Sequence, residues 1–264
     1  MIILGCITKY KPEDIRPYVE SIEQSGFTGK KVMMVYDIPQ ETVDYLKSKG
    51  WDLYGSALRE HIILQRFIDV YKVLEHYKDE IVIWTDVKDV IFQKDPTTWI
   101  EQNKKKPILA FSEAITFKDD EWACVNSGTS FPMEWEWLQH LPSYCAGTIV
   151  GDSEYLRGLF ISIYRWSLTT SNPEQLSDQA AFNVLINLPQ FKDIVQKVEQ
   201  EEGFVTQLGT VWVKKDHFGD KLLEPTPKLE IDGKLVNQKG DSFAIVHQYD
   251  RDPKLKELIT NKYQ

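Results

Sequence analysis

Several features are scarce in this 264-residue sequence, and each scarcity excludes a class of protein. The three cysteines (Cys6, Cys124 and Cys145) form no CxxC pair, so neither a disulfide framework nor a zinc site is predicted. No window approaches about 18 uninterrupted apolar residues, and the amino terminus lacks the charged region of a signal peptide. The net charge is −9 and the basic run at 104–106 is short, so nucleic-acid polymers are not expected partners.

These absences predict a soluble protein of a reducing, cytoplasmic compartment with no transmembrane segment. A chain trimmed of a membrane anchor would have the same sequence. The composition is that of a globular protein rather than a disordered one, with 42% hydrophobic and 12% aromatic residues.

The first half of the chain alternates apolar strands with amphipathic helices. This spacing predicts an α/β fold with a Rossmann-like, mostly parallel central sheet flanked by helices. Ligands bind such sheets at the carboxyl ends of the strands. The predicted strands are 2–8, 32–36, 53–54 and 81–84, and the predicted helices are 12–24, 39–49 and 61–77.

The second half is less regular but shows no linker or internal repeat, which favours one continuous domain. Strands are predicted at 108–111 and 148–150, and helices at 153–169, with Ser153 as the cap, and at 178–188. A long Trp-rich connection is predicted at 113–144. Short strands at 211–213, 229–236 and 243–247 and a helix at 253–262 complete the prediction.

Asp86 and Asp89 lie between two apolar segments, directly after the predicted strand 81–84. Asp is common in turns at strand ends, where its side chain bonds nearby amides. Two carboxylates between apolar segments also repel each other, and burying each costs on the order of several kcal/mol. A divalent cation such as Mg²⁺ or Mn²⁺ removes this conflict because it binds oxygen ligands.

The segment 81–96 resembles the metal-binding segment of the GT-A-fold glycosyltransferases, in a DxxD variant of their DxD motif. Three further segments resemble the same family in the same order, so the resemblance extends over nearly the whole chain. Segment 144–151 resembles a small-residue strand that lines the donor sugar, with Cys145 where Asn is usual. Segment 177–183 resembles a DQxxxN helix start, and segment 245–251 resembles the late segment that supplies a metal-binding His and a basic residue.

The resemblance implies one catalytic domain over residues 1–264. About 1–110 would bind the nucleotide, and about 111–264 would bind the acceptor and complete the metal site. The implied reaction is metal-dependent transfer of a sugar from a nucleotide-diphosphate donor, UDP-linked rather than GDP-linked, to a saccharide or glycoconjugate hydroxyl. Retention of configuration is favoured over inversion.

Three alternatives stay open. A sugar-phosphate nucleotidyltransferase has the same fold, although segment 5–10 lacks the Gly-rich signature of those enzymes. A carbohydrate- or nucleotide-binding protein without turnover is the second. A phosphatase fits less well, because the order DxDx[TV] is not met by residues 86–90.

The resemblance also assigns roles to individual residues. Mn²⁺ is the preferred metal and Mg²⁺ the second, because imidazole suits Mn²⁺. The metal ligands are Asp86, Asp89 and His247, which should converge on one point. The catalytic or sugar-contacting carboxylate is Asp178, and the donor-binding residues are Thr8, Tyr10, Arg66, Asp86, Gly147, Thr148 and Arg251.

Structural roles compete with several of these assignments. A histidine after a strand is often only structural, Asp178 can simply stabilise a helix start, and Arg66 can be a surface charge. For His217 the sequence favours neither a structural nor a functional role. The tryptophans Trp122, Trp135 and Trp137 belong to the core or a lid, or form a platform for an acceptor sugar.

Overall fold

The computed structural model describes residues 1–170 and 177–263. Within them, a seven-stranded sheet has the order β3-β2-β1-β4-β7-β6-β8. Strand β7 runs antiparallel to both of its neighbours, and the other neighbouring strands pair in parallel. The expected α/β class with a mixed, mostly parallel sheet is confirmed.

From β1 to β4 the strands and helices alternate as the sequence predicts. The strands are β1 Ile2–Thr8, β2 Lys30–Tyr36, β3 Asp52–Gly55, β4 Ile81–Thr85, β5 Val90–Phe92, β6 Ile108–Thr116, β7 Pro142–Asp152, β8 Val195–Val198, β9 Val205–Gln207, β10 Lys228–Leu229, β11 Leu235–Val236 and β12 Ile245–His247. The helices are α1 Pro12–Ser25, α2 Gln40–Ser48, α3 Ile62–Val73, α4 Thr97–Asn103, α5 Glu121–Ser130, α6 Pro132–Leu138, α7 Ser153–Ser167, α8 Ser177–Leu185, α9 Pro189–Lys192, α10 Lys215–Phe218 and α11 Pro253–Lys262.

Side chains of β1 alternate between two cores, one on each face of the sheet. Ile2 and Leu4 belong to the core formed with α3, α7 and α8, whereas Ile3 and Ile7 belong to the core formed with α1. On the first face, the Trp84 ring lies 5.9 Å from that of Phe67 on α3 and 5.5 Å from that of Phe160 on α7. The end of β4, where Asp86 follows, is therefore held by buried aromatic packing.

Four predictions for the second half are wrong. The strand predicted at 229–236 is a hairpin, in which a turn separates β10 from the antiparallel β11. The connection predicted at 113–144 contains the end of β6 and the helices α5 and α6. Helix α5 starts because Asp120 accepts a hydrogen bond from the Trp122 amide at 3.1 Å, and α6 starts at Pro132, which suits a first helical turn. The strand predicted at 211–213 is part of a π-helical turn, Gly209–Val213. Ser153 does not cap α7, because its hydroxyl donates to the Leu74 carbonyl at 3.3 Å.

A second, three-stranded sheet has the order β5-β12-β9 and contributes to the core on the α1 face of the main sheet. Its register pairs His247 with Val90 on one side and with Gln207 on the other. Because Asp89 directly precedes Val90, this pairing brings His247 beside Asp89. None of the helices in the two described ranges combines the length and the apolar composition needed to cross a bilayer.

Candidate active site

Asp86, Asp89 and His247 converge at the carboxyl end of β4, as expected from the sequence. One ligand atom from each lies within 4.8 Å of the others. His247 Nε2 lies 3.4 Å from Asp89 Oδ1 and 3.6 Å from Asp86 Oδ2. Two hydrogen bonds fix the main chain of the two aspartates, from the Asp86 amide to the Gly147 carbonyl and from the Gln248 amide to the Asp89 carbonyl, both at 2.7 Å.

His247 is buried, and its two ring nitrogens have different surroundings. Nδ1 lies 2.7 Å from Gln207 Oε1, whereas Nε2 is buried without a hydrogen-bond partner among the described residues and faces the two carboxylates. Burial lowers the pKa of His247, but facing Asp89 raises it well above its usual range. Burial likewise raises the pKa of Asp89, yet His247 opposite leaves it below its ordinary value.

This donor set fits a divalent cation. One imidazole nitrogen and two carboxylate oxygens suit Mn²⁺, and carboxylates suit Mg²⁺. Burial of a nitrogen without a hydrogen bond destabilises the fold, and so does the repulsion between two carboxylates that face the same point. A positive charge between them would offset both effects. The geometry therefore supports the expected ligand set.

Gly147 makes room for this cluster. A Cβ atom at this position would overlap Asp86 Oδ2 and crowd the His247 ring. Asp86 cannot easily move away, since Arg66 Nη1 donates to its Oδ1 at 2.6 Å. The absence of a side chain at Gly147 is thus required by the carboxylate and the imidazole themselves, whereas the sequence suggested that it made room for a sugar.

Arg66 joins two carboxylates that are 92 residues apart in the chain (178 − 86). Its Nη2 donates to Asp178 Oδ2 at 2.7 Å while Nη1 holds Asp86, and its guanidinium carbon lies 5.5 Å from the Trp84 ring. Only 14% of the Arg66 side chain is exposed, which excludes the surface-charge alternative. Burial raises the pKa of Asp178, and the neighbouring Arg66 opposes this rise.

A cavity of about 480 Å³ opens beside the cluster. Asp178, Gly147 and Arg251 line it together with the three converging side chains. Sequence reasoning missed several other lining residues, namely Glu113, Asp120, Gln179, Gly209, Lys214 and Gln248. Gln179 lies in the DQxxxN segment, so the resemblance could have identified it as a site residue. Glu113 and Asp120 lie in the stretch predicted to be a connection, where no motif indicated a site.

Glu113 and Gln179 form part of the cavity wall. Glu113 Oε2 accepts from Ser143 Oγ at 2.9 Å and from Gln179 Nε2 at 2.8 Å. Gln179 Oε1 in turn accepts from the Ala146 amide at 3.2 Å. Besides Asp86, Asp89 and Asp178, a further carboxylate thus faces the cavity in a fixed position.

A second cavity of about 320 Å³ shares Arg66, Asp86 and Asp89 with the first. Thr8 and Tyr10 line it, so the structure brings two of the predicted donor-binding residues next to the carboxylate pair. Thr8 Oγ1 is buried without a hydrogen-bond partner in the described parts of the chain. Lys88 Nζ lies 5.8 Å from the centre of the Tyr10 ring.

Thr148 does not reach either cavity lining. It is 1% exposed, and its Oγ1 accepts a hydrogen bond from Gln207 Nε2 at 2.8 Å. Of the three tryptophans, Trp122 lines the larger cavity, Trp135 packs against Gly128 and the core, and Trp137 is exposed outside the lining.

No protein-family model matches this sequence, and no curated protein sequence matches it either. Solved structures of similar fold do exist. The chain superposes over 99% of its length on glycosyltransferase GlyE of Streptococcus pneumoniae TIGR4, with a TM-score of 0.56 and 17% identity. It also superposes over its full length on galactosyltransferase LgtC in complex with donor and acceptor sugar analogs, with a TM-score of 0.58 and 14% identity. The chain has a GT-A fold.

An active-site mutant of LgtC gives the same TM-score, 0.58, at 13% identity. The chain spans 62% of the GlyE chain and 96% of the LgtC chain. At such low identities the likeness establishes the GT-A fold, and the activity has to be argued from the chemistry of the site.

Proposed function

We propose that this chain is a metal-dependent glycosyltransferase that moves a sugar from a nucleotide-diphosphate donor to a hydroxyl of a saccharide or glycoconjugate. The observation that carries the proposal is the convergence of Asp86, Asp89 and His247 at the carboxyl end of β4, with a buried Nε2 that has no hydrogen-bond partner in the described residues. That edge is where a sheet of this kind binds its ligand.

Each part of the site has a role in this proposal. Asp89 and His247 would hold Mn²⁺, or Mg²⁺, and Asp86 would contact the metal or the ribose. When bound, the cation neutralises negative charge on the departing nucleoside diphosphate. Arg251 would lie against the diphosphate, and Thr8 and Tyr10 would hold the base, which we take to be uracil.

The reacting sugar would lie in the 480 Å³ cavity. Asp178 lines it as the proposed catalytic or sugar-binding carboxylate, and Arg66 would act on the donor by holding Asp178 and Asp86 in place. We also propose that the transferred sugar keeps the configuration of its anomeric carbon. The domain assignment follows from the same reasoning, with about 1–110 for the nucleotide and about 111–264 for the acceptor and the third ligand.

The experiment is a donor panel that needs no knowledge of the acceptor. Slow hydrolysis of UDP- and GDP-sugars with Mn²⁺ should release nucleoside diphosphate, and EDTA should abolish this release. The substitution Asp89→Asn should lower the rate about 100-fold or more, the scale on which one electrostatic contact to developing charge acts. Asp232→Asn, at an exposed hairpin position, is the matched control and should leave the rate unchanged.

Product analysis separates the alternatives. A nucleotidyltransferase would release inorganic diphosphate from a nucleoside triphosphate and a sugar phosphate. A binding protein would show thermal stabilisation by a nucleotide sugar without any turnover. Activity that survives both EDTA and Asp89→Asn would contradict the proposed metal site.

A further inference from the structure

Gln207 connects His247 to Thr148 behind the proposed metal site. Gln207 Oε1 lies 2.7 Å from His247 Nδ1, and Gln207 Nε2 donates to Thr148 Oγ1 at 2.8 Å. At most 2% of each of these three residues is exposed, so water does not compete for the two contacts. Strand pairing sets the first contact, because Gln207 ends β9 directly opposite His247 on β12.

The position of one proton decides whether His247 can bind a cation. A neutral imidazole carries a proton on one nitrogen and a lone pair on the other, and the hydrogen bond at one nitrogen sets the state of the other. An amide oxygen only accepts, so Nδ1 must donate to Gln207 Oε1. In this neutral form, which a cation needs and stabilises by displacing the second proton, Nε2 then presents its lone pair towards Asp86 and Asp89.

Thr148 anchors the other end of the Gln207 amide, because its hydroxyl accepts from Gln207 Nε2. If the Gln207 side chain rotated by half a turn, its NH₂ group would face Nδ1 and would favour the opposite form of the imidazole, with the proton on Nε2. A hydroxyl can bond the amide in either orientation, and binding of a cation at Nε2 is compatible only with the first. Cys145 Sγ also lies near Nδ1, but at 3.6 Å and as a weak hydrogen-bonding group it competes poorly with the amide oxygen.

We propose that Gln207, anchored by Thr148, is the positioning residue that keeps the proton of His247 on Nδ1 and thereby presents Nε2 to a cation between Asp86 and Asp89. This inference rests on the metal-binding part of the proposed function and is independent of which sugar is transferred. It also gives Thr148, which does not reach the cavities, a role in the site.

The test measures binding of Mn²⁺ alone to the full chain by calorimetry. Gln207→Leu should weaken binding about 10- to 100-fold, the usual effect of losing the partner of a metal-binding imidazole. Gln207→Glu should preserve binding at about pH 8, because both carboxylate oxygens accept from Nδ1. Thr148→Val should weaken binding less than Gln207→Leu does, because it removes one anchor of the amide without removing the acceptor of the Nδ1 proton.

Gln200→Leu is the matched control. Gln200 is also buried, but its amide forms hydrogen bonds with the Thr206 hydroxyl and the Pro225 carbonyl rather than with a histidine. This variant should bind Mn²⁺ as the wild-type chain does, even if it unfolds at a lower temperature. Nitrogen-15 NMR of the imidazole with diamagnetic Mg²⁺ bound gives a second readout and should show the proton on Nδ1 in the wild-type chain.

Three outcomes overturn the proposal. One is unchanged Mn²⁺ binding in a folded Gln207→Leu variant, another is weak binding in Gln207→Glu, and the third is a proton on Nε2 in the bound state. If Gln207→Leu does not fold, the Gln207→Glu and Thr148→Val variants decide the question. A wild-type chain that binds no Mn²⁺ contradicts both this inference and the metal site, whereas absence of sugar transfer with the expected binding pattern contradicts only the proposed reaction.

Discussion

Arg66 is the cation that holds two carboxylates in place, the buried Asp178 and the half-buried Asp86, and the sequence did not predict this. A single arginine on a helix before the metal segment was compatible with a donor contact or with a surface charge. Its actual partners, Asp86 and Asp178, come from a loop and from a distant helix. Only the fold brings these residues together, because 112 residues separate Arg66 from Asp178.

We predict that Arg66→Met destabilises the chain by about 3–5 kcal/mol at neutral pH, because it leaves the buried Asp178 carboxylate without its cation. The pKa of Asp178 is already raised by burial, and without Arg66 it should rise further. The folded state then holds a proton that the unfolded state releases, so the free energy of unfolding increases as the pH falls through the folded pKa. The deficit relative to the wild-type chain should therefore be smaller at about pH 5 than at about pH 7.5 in urea unfolding.

Arg157→Met is the matched control for this prediction. Arg157 pairs with Glu75 at 3.5 Å, and 59% of the Glu75 side chain is exposed. Such an exposed pair contributes about 0–1 kcal/mol, so the control should show a small loss. A deficit of Arg66→Met that is the same at both pH values would contradict the role assigned to Arg66.

At the scale of elements, the sequence predicts well where local pattern decides and poorly where distant contacts do. The strand at 2–8 and the helix at 253–262 have the predicted bounds, because apolar alternation and an initial proline are local signals. The segment 211–213 has the apolar composition of a strand but forms a π-helical turn. Contacts from elsewhere hold that turn, since Trp212 Nε1 donates to Asp252 and the Gly209 amide donates to Gln248 Oε1.

The residues of the candidate site likewise divide into those that a local sequence signal predicts and those that only distant contacts bring to the site. Asp86 and Asp89 were predicted because they follow an apolar strand, and His247 because its segment resembles a known one. Gln207 and Glu113 carry no local signal. Their importance comes from the β9-β12 register and from the wall that Glu113 shares with Gln179, which are properties of the assembled sheets.

Two glycines on different elements should separate metal binding from donor binding. A Cβ at Gly147 on β7 would overlap Asp86 Oδ2, whereas a Cβ at Gly209 in the π-helical turn would overlap the ends of the Gln248 and Arg251 side chains. Gly147→Ala should weaken binding of Mn²⁺ alone about tenfold or more, as expected for a displaced ligand. Gly209→Ala should leave binding of Mn²⁺ alone unchanged and raise the dissociation constant for UDP in the presence of Mn²⁺.

Gly158→Ala serves as the control for both variants, because a Cβ there meets nothing within 4 Å. Calorimetry with Mn²⁺ alone, and with UDP in the presence of Mn²⁺, gives the two constants. If Gly209→Ala lost Mn²⁺ binding as strongly as Gly147→Ala, the π-helical turn would belong to the metal site rather than to the donor site. Equal UDP binding by Gly209→Ala and the wild-type chain would remove the support for Arg251 as a diphosphate contact.

For the whole molecule, the distribution of charge supports a bound cation, as the geometry of the site does. The chain carries a net charge of −9, and its cavity is lined by Asp86, Asp89, Glu113, Asp120 and Asp178. A nucleotide-diphosphate donor is itself an anion, so its approach needs local positive charge. Arg66 is already paired with two of these carboxylates, and a divalent cation would supply what Lys214 and Arg251 alone do not.

Mn²⁺ should therefore stabilise the entire fold. Its ligands would come from the loop after β4 of the main sheet and from β12 of the small sheet, so binding would tie the two sheets together. A ligand that binds only the folded state at about 100 times its dissociation constant adds about 2.7 kcal/mol, which for a chain of this size raises the melting temperature by roughly 5 °C or more. EDTA should reverse the rise, and Asp89→Asn should abolish it while Asp232→Asn keeps it. A rise of equal size in Asp89→Asn would show that Mn²⁺ stabilises the protein from some other place, and the acidic cluster would then have to be explained without a metal.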